Sequence, residues 1–305
     1  MFLSIKNQIP EFLICFKEIN LFKKSSTSNV EDVKPVKLAY KTYDKRAASP
    51  LMIIHALFGN KTNWSTIGKS FNESTIPRRK VIIIDCRNHG ESPHTESHTY
   101  THIVADLKAL LDSLSIQRLA LLGHSMGGRA SMLFSLKYPN MVEKLIVGDT
   151  SPISGMQIAD FLPIIDTLMN IKIPTNVSLS EAKKHVDAQL NSKITNTIVR
   201  NFLLSNLIKK EDGSINWKVN FPVLKKDLQH MWEFPLDDTM KYEGPTLFVA
   251  GQKSSFLPKS DFPEIKKYFP KAELIYINGA SHWLHQEKPR EFLDITLEFL
   301  NRPLK

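Results

Sequence analysis

Three segments far apart in the chain hold residue types that can do chemistry together. A serine sits in Gly123-His124-Ser125-Met126-Gly127, an aspartate in Val147-Gly148-Asp149-Thr150, and a histidine in Gly279-Ala280-Ser281-His282. A serine hydroxyl is a weak nucleophile until a base takes its proton, and histidine is the usual base near neutral pH. A carboxylate behind the histidine fixes the ring tautomer and stabilises the imidazolium that forms. The order Ser, Asp, His along the chain suits a nucleophile raised on a strand-to-helix turn of a parallel sheet.

The bare Gly-x-Ser-x-Gly pattern is a weak signal, and its flanks decide its value. An apolar run, Arg118-Leu119-Ala120-Leu121-Leu122, precedes it, and a helical pattern starting at Met126 follows it. Gly123 and Gly127 leave room for a tight turn, and the first helical N–H groups point towards the serine. His282 follows the last apolar run, which puts it in a loop at the same sheet edge. His285, near Glu287, reads as a structural histidine. His55 and His124 flank the site, and His89 and His94 fall in a loop after an apolar run. For Asp149 the alternative role is a turn or helix cap before Ser151-Pro152. Asp227, Asp237 and Asp238 are weaker candidates for the acid. Asp85, Arg87 and Asn88 form a further polar cluster after a strand run; the expectation is a structural role, with Arg87 bonding backbone carbonyls.

These residues need a scaffold, and the apolar pattern supplies one. Short continuous apolar runs occur at "LMIIHAL", "KVIIIDC", "RLALLGHS", "EKLIVGDT", "PTLFVAGQ" and "AELIYING", with "KLAYKTYD" as an edge strand. Such runs suit strands buried on both faces of a parallel sheet. Helical periodicity lies between them: Ile103, Leu107, Leu110, Leu111 and Leu114 share one face, and Pro289 suits the first turn of a closing helix. The fold class is therefore α/β, a mostly parallel central sheet flanked by helices. Residues 151–242 break the rhythm with helical segments such as "MQIADFLPIIDTLMN" and "SLSEAKKHVDAQL". This insertion reads as a lid whose apolar residues wall a pocket, the alternative being a helical subdomain without contact to substrate. The core then comprises residues 36–150 and 243–305.

Composition narrows the function class. Hydrophobic residues make up 42% of the 305, enough for a sizeable core. The net charge of +9 raises nucleic acid or an anionic surface as partners, but the lysines are scattered in pairs such as Lys183-Lys184 and Lys266-Lys267. Without an Arg-rich helix or aromatic signature, no nucleic acid partner is expected. The two cysteines, Cys15 and Cys86, lie in no metal spacing and suit a reducing compartment. No apolar run reaches the ~18 residues needed to span a bilayer. Residues 1–35 mix apolar residues with Lys6, Lys17, Lys23 and Lys24 and then turn to Ser and Thr. They read as an organelle transit peptide, or as a disordered extension or an amphipathic surface helix in peripheral membrane contact.

The segments "HALFGNKTNW", "DCRNHGESPH", "GHSMGGRA", "GDTSP", "RNFLLSNL", "GPTLFVAGQKSSF" and "GASHWLHQEKP" run in order from Leu38 to the end. Together they resemble the α/β-hydrolase family of serine hydrolases, in the group formed by abhydrolase domain-containing protein 11 and its bacterial esterase relatives. That resemblance implies a serine hydrolase of acyl esters, with lipid esters such as diacylglycerol as a substrate class and no cofactor or metal. It also implies mitochondrial localisation, the alternative being cytoplasmic. Backbone N–H groups of Leu57 and Met126 are the expected oxyanion donors.

Two departures stand out. Ala56 replaces a usual glycine, and a left-handed conformation there would cost about 1 kcal/mol. The loop Gly251-Gln252-Lys253-Ser254 lacks the carboxylate that the wider fold often places there. Asp149 is then the acid, with Ser254 hydrogen-bonded to the histidine or to Asp149. The alternatives to an ester hydrolase are a thioesterase or a non-catalytic binding or scaffold protein on the same fold.

Overall fold

The computed structural model describes residues 30, 33–44, 48–154 and 158–304. Nearly all of the N-terminal segment 1–35, including Cys15, thus lies outside the described residues. Alternating apolar runs and helical patterns fold as the parallel-sheet reading expects. In chain order the sheet strands are β1 (Tyr40–Tyr43), β2 (Ala48–Ile54), β3 (Arg79–Ile84), β4 (Leu119–His124) and β5 (Val142–Gly148). The hairpin β6 (Leu207–Lys209) and β7 (Ile215–Trp217) comes next, and β8 (Thr246–Gly251) and β9 (Ala272–Ile277) complete the sheet. The seven sheet strands lie in the order β1-β3-β2-β4-β5-β8-β9, with only β1 antiparallel to its neighbour.

Side chains on a strand alternate between faces, so each apolar run feeds two layers. On β2, Leu51 and Ile53 join Val81, Ile83, Leu122 and Val249 on one face. Helices α1 (Ser65–Ser74) and α10 (Pro289–Asn301), the latter following the one-turn α9 (Leu284–Glu287), cover that face through Phe71, Phe292 and Phe299. Met52 and Ile54 join Ile82, Ile84, Leu121 and Val147 on the other. There α2 (Tyr100–Ser113), α3 (Met126–Lys137) and α8 (Phe262–Tyr268) pack. Each buried Leu, Ile or Phe contributes about 1.5–3 kcal/mol, so these two layers dominate the folding free energy.

Between β5 and β8 the chain leaves the sheet. It forms α4 (Ile158–Asn170), α5 (Leu179–Asn191), α6 (Thr197–Leu204), the β6–β7 hairpin and α7 (Phe221–Trp232). The hairpin is not legible in the sequence, since three-residue strands leave too short a periodic pattern. Both roots of this segment are tied to α3 by Arg129, which is 1% exposed. Its Nε donates to Ser151 O at 3.0 Å and Nη2 to Ser154 O at 2.7 Å. Its Nη1 donates to Trp232 O at 3.0 Å and to Met231 O at 3.3 Å. Asp261 accepts from Ser151 Oγ and Ser154 Oγ at 2.5 Å each, closing the first root from the far side.

The polar cluster after β3 departs from expectation in one respect. Arg87 does not bridge backbone carbonyls; it forms a two-point pair with Asp106 of α2, Nε to Oδ2 and Nη2 to Oδ1, both 2.6 Å. Both side chains are buried, and the planar guanidinium matches the carboxylate where a carbonyl offers one acceptor. Asp85 is also buried. It accepts from Lys61 Nζ and from the backbone N–H groups of Lys61 and Glu91. The Cys86 thiol is free, and burial pushes its pKa well up, which suits an inert core residue.

Candidate active site

The carboxyl edge of the sheet carries a run of unusual backbone conformations. Phe58, Asn88, Ser125 and Asp149 follow β2, β3, β4 and β5, and their φ angles are +62°, +63°, +54° and +48°. Non-glycine residues rarely adopt positive φ, and such strain gathers at functional sites. Ser125 combines its positive φ with ψ −115° just before α3. Its N–H donates to Gly148 O at 2.8 Å, and its carbonyl accepts from Arg129 N at 3.0 Å, so the turn is held on both sides. The flanking glycines are required by contact. A Cβ on Gly123 would lie 2.0 Å from Gly127 O, and one on Gly127 would lie 2.3 Å from Ile54 O.

The expected acid and the expected base meet across three loops. His282 Nδ1–H donates to Asp149 Oδ2 at 2.7 Å. Ser254 Oγ–H donates to the same oxygen at 2.5 Å, and Gly251 N–H donates to Oδ1 at 3.0 Å. Asp149 is fully buried, while the His282 side chain keeps 14% of its surface. The carboxylate therefore has three donors, and the bond to Nδ1 orients the ring. Asp149 is not a helix cap. Ser254 bonds to Asp149, and among the described hydrogen bonds none joins it to the histidine.

Ser125 and His282 come from opposite sides of the same edge. His124, beside the nucleophile turn, bonds through Nε2 to His282 O at 2.8 Å, and the two rings lie 4.7 Å apart. Among the described residues no hydrogen bond joins Ser125 Oγ to the His282 ring. In the absence of substrate this contact is often longer than a hydrogen bond. Phe256 stacks on His282 at 4.1 Å, and Phe161 of α4 lies between Phe256 and Phe58, at 6.3 and 6.2 Å.

The two expected anion donors are both free. Among the described hydrogen bonds neither Leu57 N–H nor Met126 N–H has a partner. Met126 opens α3, where N–H groups lack intrahelical acceptors. The expected strain at Ala56 is absent, because the left-handed residue of that loop is Phe58. Ala56 therefore does not carry the left-handed conformation in which a methyl group is strained. His285 is structural, stacked on Trp64 at 4.2 Å. Asp227 is occupied elsewhere, accepting from His98 N–H at 2.6 Å. Asp237 accepts from Thr239, and Asp238 from the Tyr268 hydroxyl at 3.4 Å.

Residues 49–289 match the family model for the alpha/beta hydrolase fold. The chain is an α/β-hydrolase. It is 38% identical to the sn-1-specific diacylglycerol lipase ABHD11 of Danio rerio, over 92% of this chain and 88% of that one. It is 36% identical to the Mus musculus protein of the same name, over 91% and 89%. Among solved structures, a marine microorganism esterase superposes with a TM-score of 0.80 at 33% identity, covering 87% of this α/β-hydrolase and 99% of the esterase.

Residues outside the sequence expectation also bear on the site. Among them are Arg129 at the insertion roots, His89 and Asn206 on the Phe58 peptide, and Phe256 on the histidine. Arg129 falls inside "GHSMGGRA" and Asn206 inside "RNFLLSNL", but nothing in either segment states what the side chain touches.

Proposed function

We propose that this α/β-hydrolase cleaves carboxylic esters through a covalent acyl-serine, with Ser125 as nucleophile, His282 as base and Asp149 as acid. The observation that carries this reading is the 2.7 Å bond from His282 Nδ1 to a buried carboxylate at the end of β5, beside a serine at φ +54°. With Nδ1–H committed to Asp149, Nε2 is left as the lone-pair nitrogen that can accept the serine proton. Ser125 Oγ attacks the ester carbonyl carbon as its proton moves to Nε2. The N–H groups of Met126 and Leu57 donate to the resulting oxyanion. The imidazolium protonates the leaving alcohol, the C–O bond breaks, and an acyl-serine remains. A water molecule, losing its proton to Nε2, then attacks that ester; the bond from the acyl carbon to Ser125 Oγ breaks as Nε2 returns the proton to Oγ, and the acid is released.

The substrate class is a lipid ester of the diacylglycerol type, supported by the relatives' names and by the aromatic wall of Phe58, Phe161, Phe221 and Phe256. Purified protein incubated with detergent-dispersed diacylglycerol releases fatty acid and monoacylglycerol. Release of neither, while p-nitrophenyl esters are cleaved, would remove the substrate class and leave the reaction.

Peripheral contact with a lipid surface belongs to the same reading, with Ile153 and Met169 as exposed apolar groups. Vesicle co-sedimentation unaltered by Ile153→Asp with Met169→Asp would remove it. Mitochondrial targeting by residues 1–35 is the last part. The occupied acid position weighs against a non-catalytic scaffold, since a buried Asp–His pair at a strained serine serves no packing purpose.

A further inference from the structure

We infer that Asn206, supplied by the insertion, is a positioning residue for the oxyanion hole. The inference rests on the acyl-serine mechanism and adds the part that the insertion plays in it.

The donor at issue, Leu57 N–H, belongs to the Ala56–Leu57 peptide. In a trans peptide the C=O and N–H point in opposite directions, so fixing one fixes the other. Ala56 O accepts from Gly59 N–H at 2.9 Å and from His55 Nδ1–H at 2.8 Å. The His55 ring is itself fixed, because its Nε2 accepts from Cys86 N–H at 3.0 Å. This arrangement requires the chain to turn back at Phe58 with φ +62°, where a bulky residue is strained. A strained turn persists only where its surroundings hold it.

Both polar groups of Phe58 are held. Its N–H donates to His89 Nε2 at 3.1 Å, and its carbonyl accepts from Asn206 Nδ2 at 2.6 Å. His89 donates in turn through Nδ1 to Arg87 O at 3.0 Å, which fixes its tautomer. Asn206 is 1% exposed and bonded on every side. Its Oδ1 accepts from Asn60 Nδ2 at 3.0 Å, its N–H donates to Leu203 O at 3.1 Å, and its carbonyl accepts from Lys218 N–H at 2.8 Å. Carbonyls can only accept, so the orientation of the Asn206 amide is dictated by Phe58 O on one side and Asn60 Nδ2 on the other.

Asn206 lies between α6 and β6, on the segment that also shapes the aromatic wall. The Phe58 ring contacts Phe161 of α4 at 6.2 Å and Phe221 of α7 at 5.9 Å. One residue thus reads the seating of the insertion with its ring and sets the anion loop with its backbone. Moving the insertion moves the Phe58 carbonyl, and with it the turn that aims Leu57 N–H. The consequence falls on transition-state binding more than on substrate binding, because the oxyanion exists only after attack.

The test uses the full chain with Asn206→Asp, which keeps the acceptor for Asn60 and loses the donor to Phe58, and Asn206→Ser as a second variant. Rates are normalised to active sites titrated with a fluorophosphonate. The expected result is a kcat for p-nitrophenyl butyrate lowered about 10- to 100-fold, with KM within about twofold, since a displaced donor costs less than a deleted one. The Ki of an alkyl trifluoromethyl ketone, whose adduct places an oxyanion in the hole, rises in parallel. An unchanged kcat, a raised KM alone, an unchanged ketone Ki, or failure of both variants to fold would overturn the assignment. If the wild-type protein neither turns over nor labels at Ser125, the proposed mechanism fails and this assignment is not the cause.

Discussion

His282 Nδ1 and Ser254 Oγ converge on a single oxygen of Asp149, at 2.7 and 2.5 Å. The proposed acid thus follows β5, while the loop after β8 gives a hydroxyl in place of a carboxylate. The order of three substitutions follows from this. Asp149→Asn keeps the fold and lowers kcat by about 10² to 10⁴, because an amide can hold the wrong tautomer and cannot stabilise imidazolium. Ser254→Ala loses one hydrogen bond to the carboxylate, worth about 1.5–3 kcal/mol, but that bond is present before and after proton transfer alike, so the loss in kcat is up to about tenfold. Asp227→Asn weakens an acceptor of His98 N–H and should lower the melting temperature more than kcat. Steady-state kinetics on the three variants gives the order directly. Near-native turnover by Asp149→Asn would place the acid elsewhere.

Buried histidines make the fold sensitive to mild acid. Burial holds the pKa of His55, His98 and His124 below the ordinary value and brings His89 and His285 down to about 3. In the unfolded chain the same rings bind protons below about pH 6.5. The unfolded state then holds more protons, so stability falls as pH drops below about 6.5, by up to ~1.4 kcal/mol per pH unit for each ring. The loss continues towards the pH where His89 and His285 protonate in the fold, about 3. Melting temperatures should be level from pH 7 to 8 and fall steeply from pH 6.5 to 5. A level curve down to pH 5 would contradict neutral burial of these rings.

Phe161 reports on the aromatic wall. It stands between Phe58 and Phe256, and Phe256 stacks on the base. A charge at that position opposes an acyl chain without touching the nucleophile turn. Phe161→Asp should lower kcat/KM for octanoate relative to acetate esters by ~10- to 200-fold, the span of one methylene contact in an apolar pocket. Fluorophosphonate labelling of Ser125 should continue. An unaltered chain-length ratio would mean that α4 does not face the acyl group.

Targeting is checked by fusing residues 1–35 to a fluorescent protein. Co-localisation with a mitochondrial marker is expected, and a diffuse signal would remove this part of the reading.

Particular residues show what a sequence can and cannot announce. Ser125 and His282 are legible because their meaning is local: glycines, an apolar run and a helix start stand within a few residues of each. Asp149 is legible because it ends a strand run and its rival loop lacks a carboxylate. The pairing of Arg87 with Asp106 is not, since 19 residues and a helix docking angle separate them. The strain at Phe58 in place of Ala56 is hidden for a similar reason. Which residue turns left-handed depends on His89 and Asn206, partners 31 and 148 positions away. Apolar periodicity gives the layers of the sheet, but long-range polar contacts choose the conformation of its loops.

The most direct measurement is covalent labelling of purified protein with a fluorophosphonate, read by intact mass and peptide mapping, beside folded Ser125→Ala. The account predicts one adduct per chain, located on Ser125, absent from Ser125→Ala, and accompanied by a loss of several orders of magnitude in kcat in that variant. Labelling that persists in folded Ser125→Ala, or esterase turnover that survives it, would contradict the assignment of Ser125 as the nucleophile.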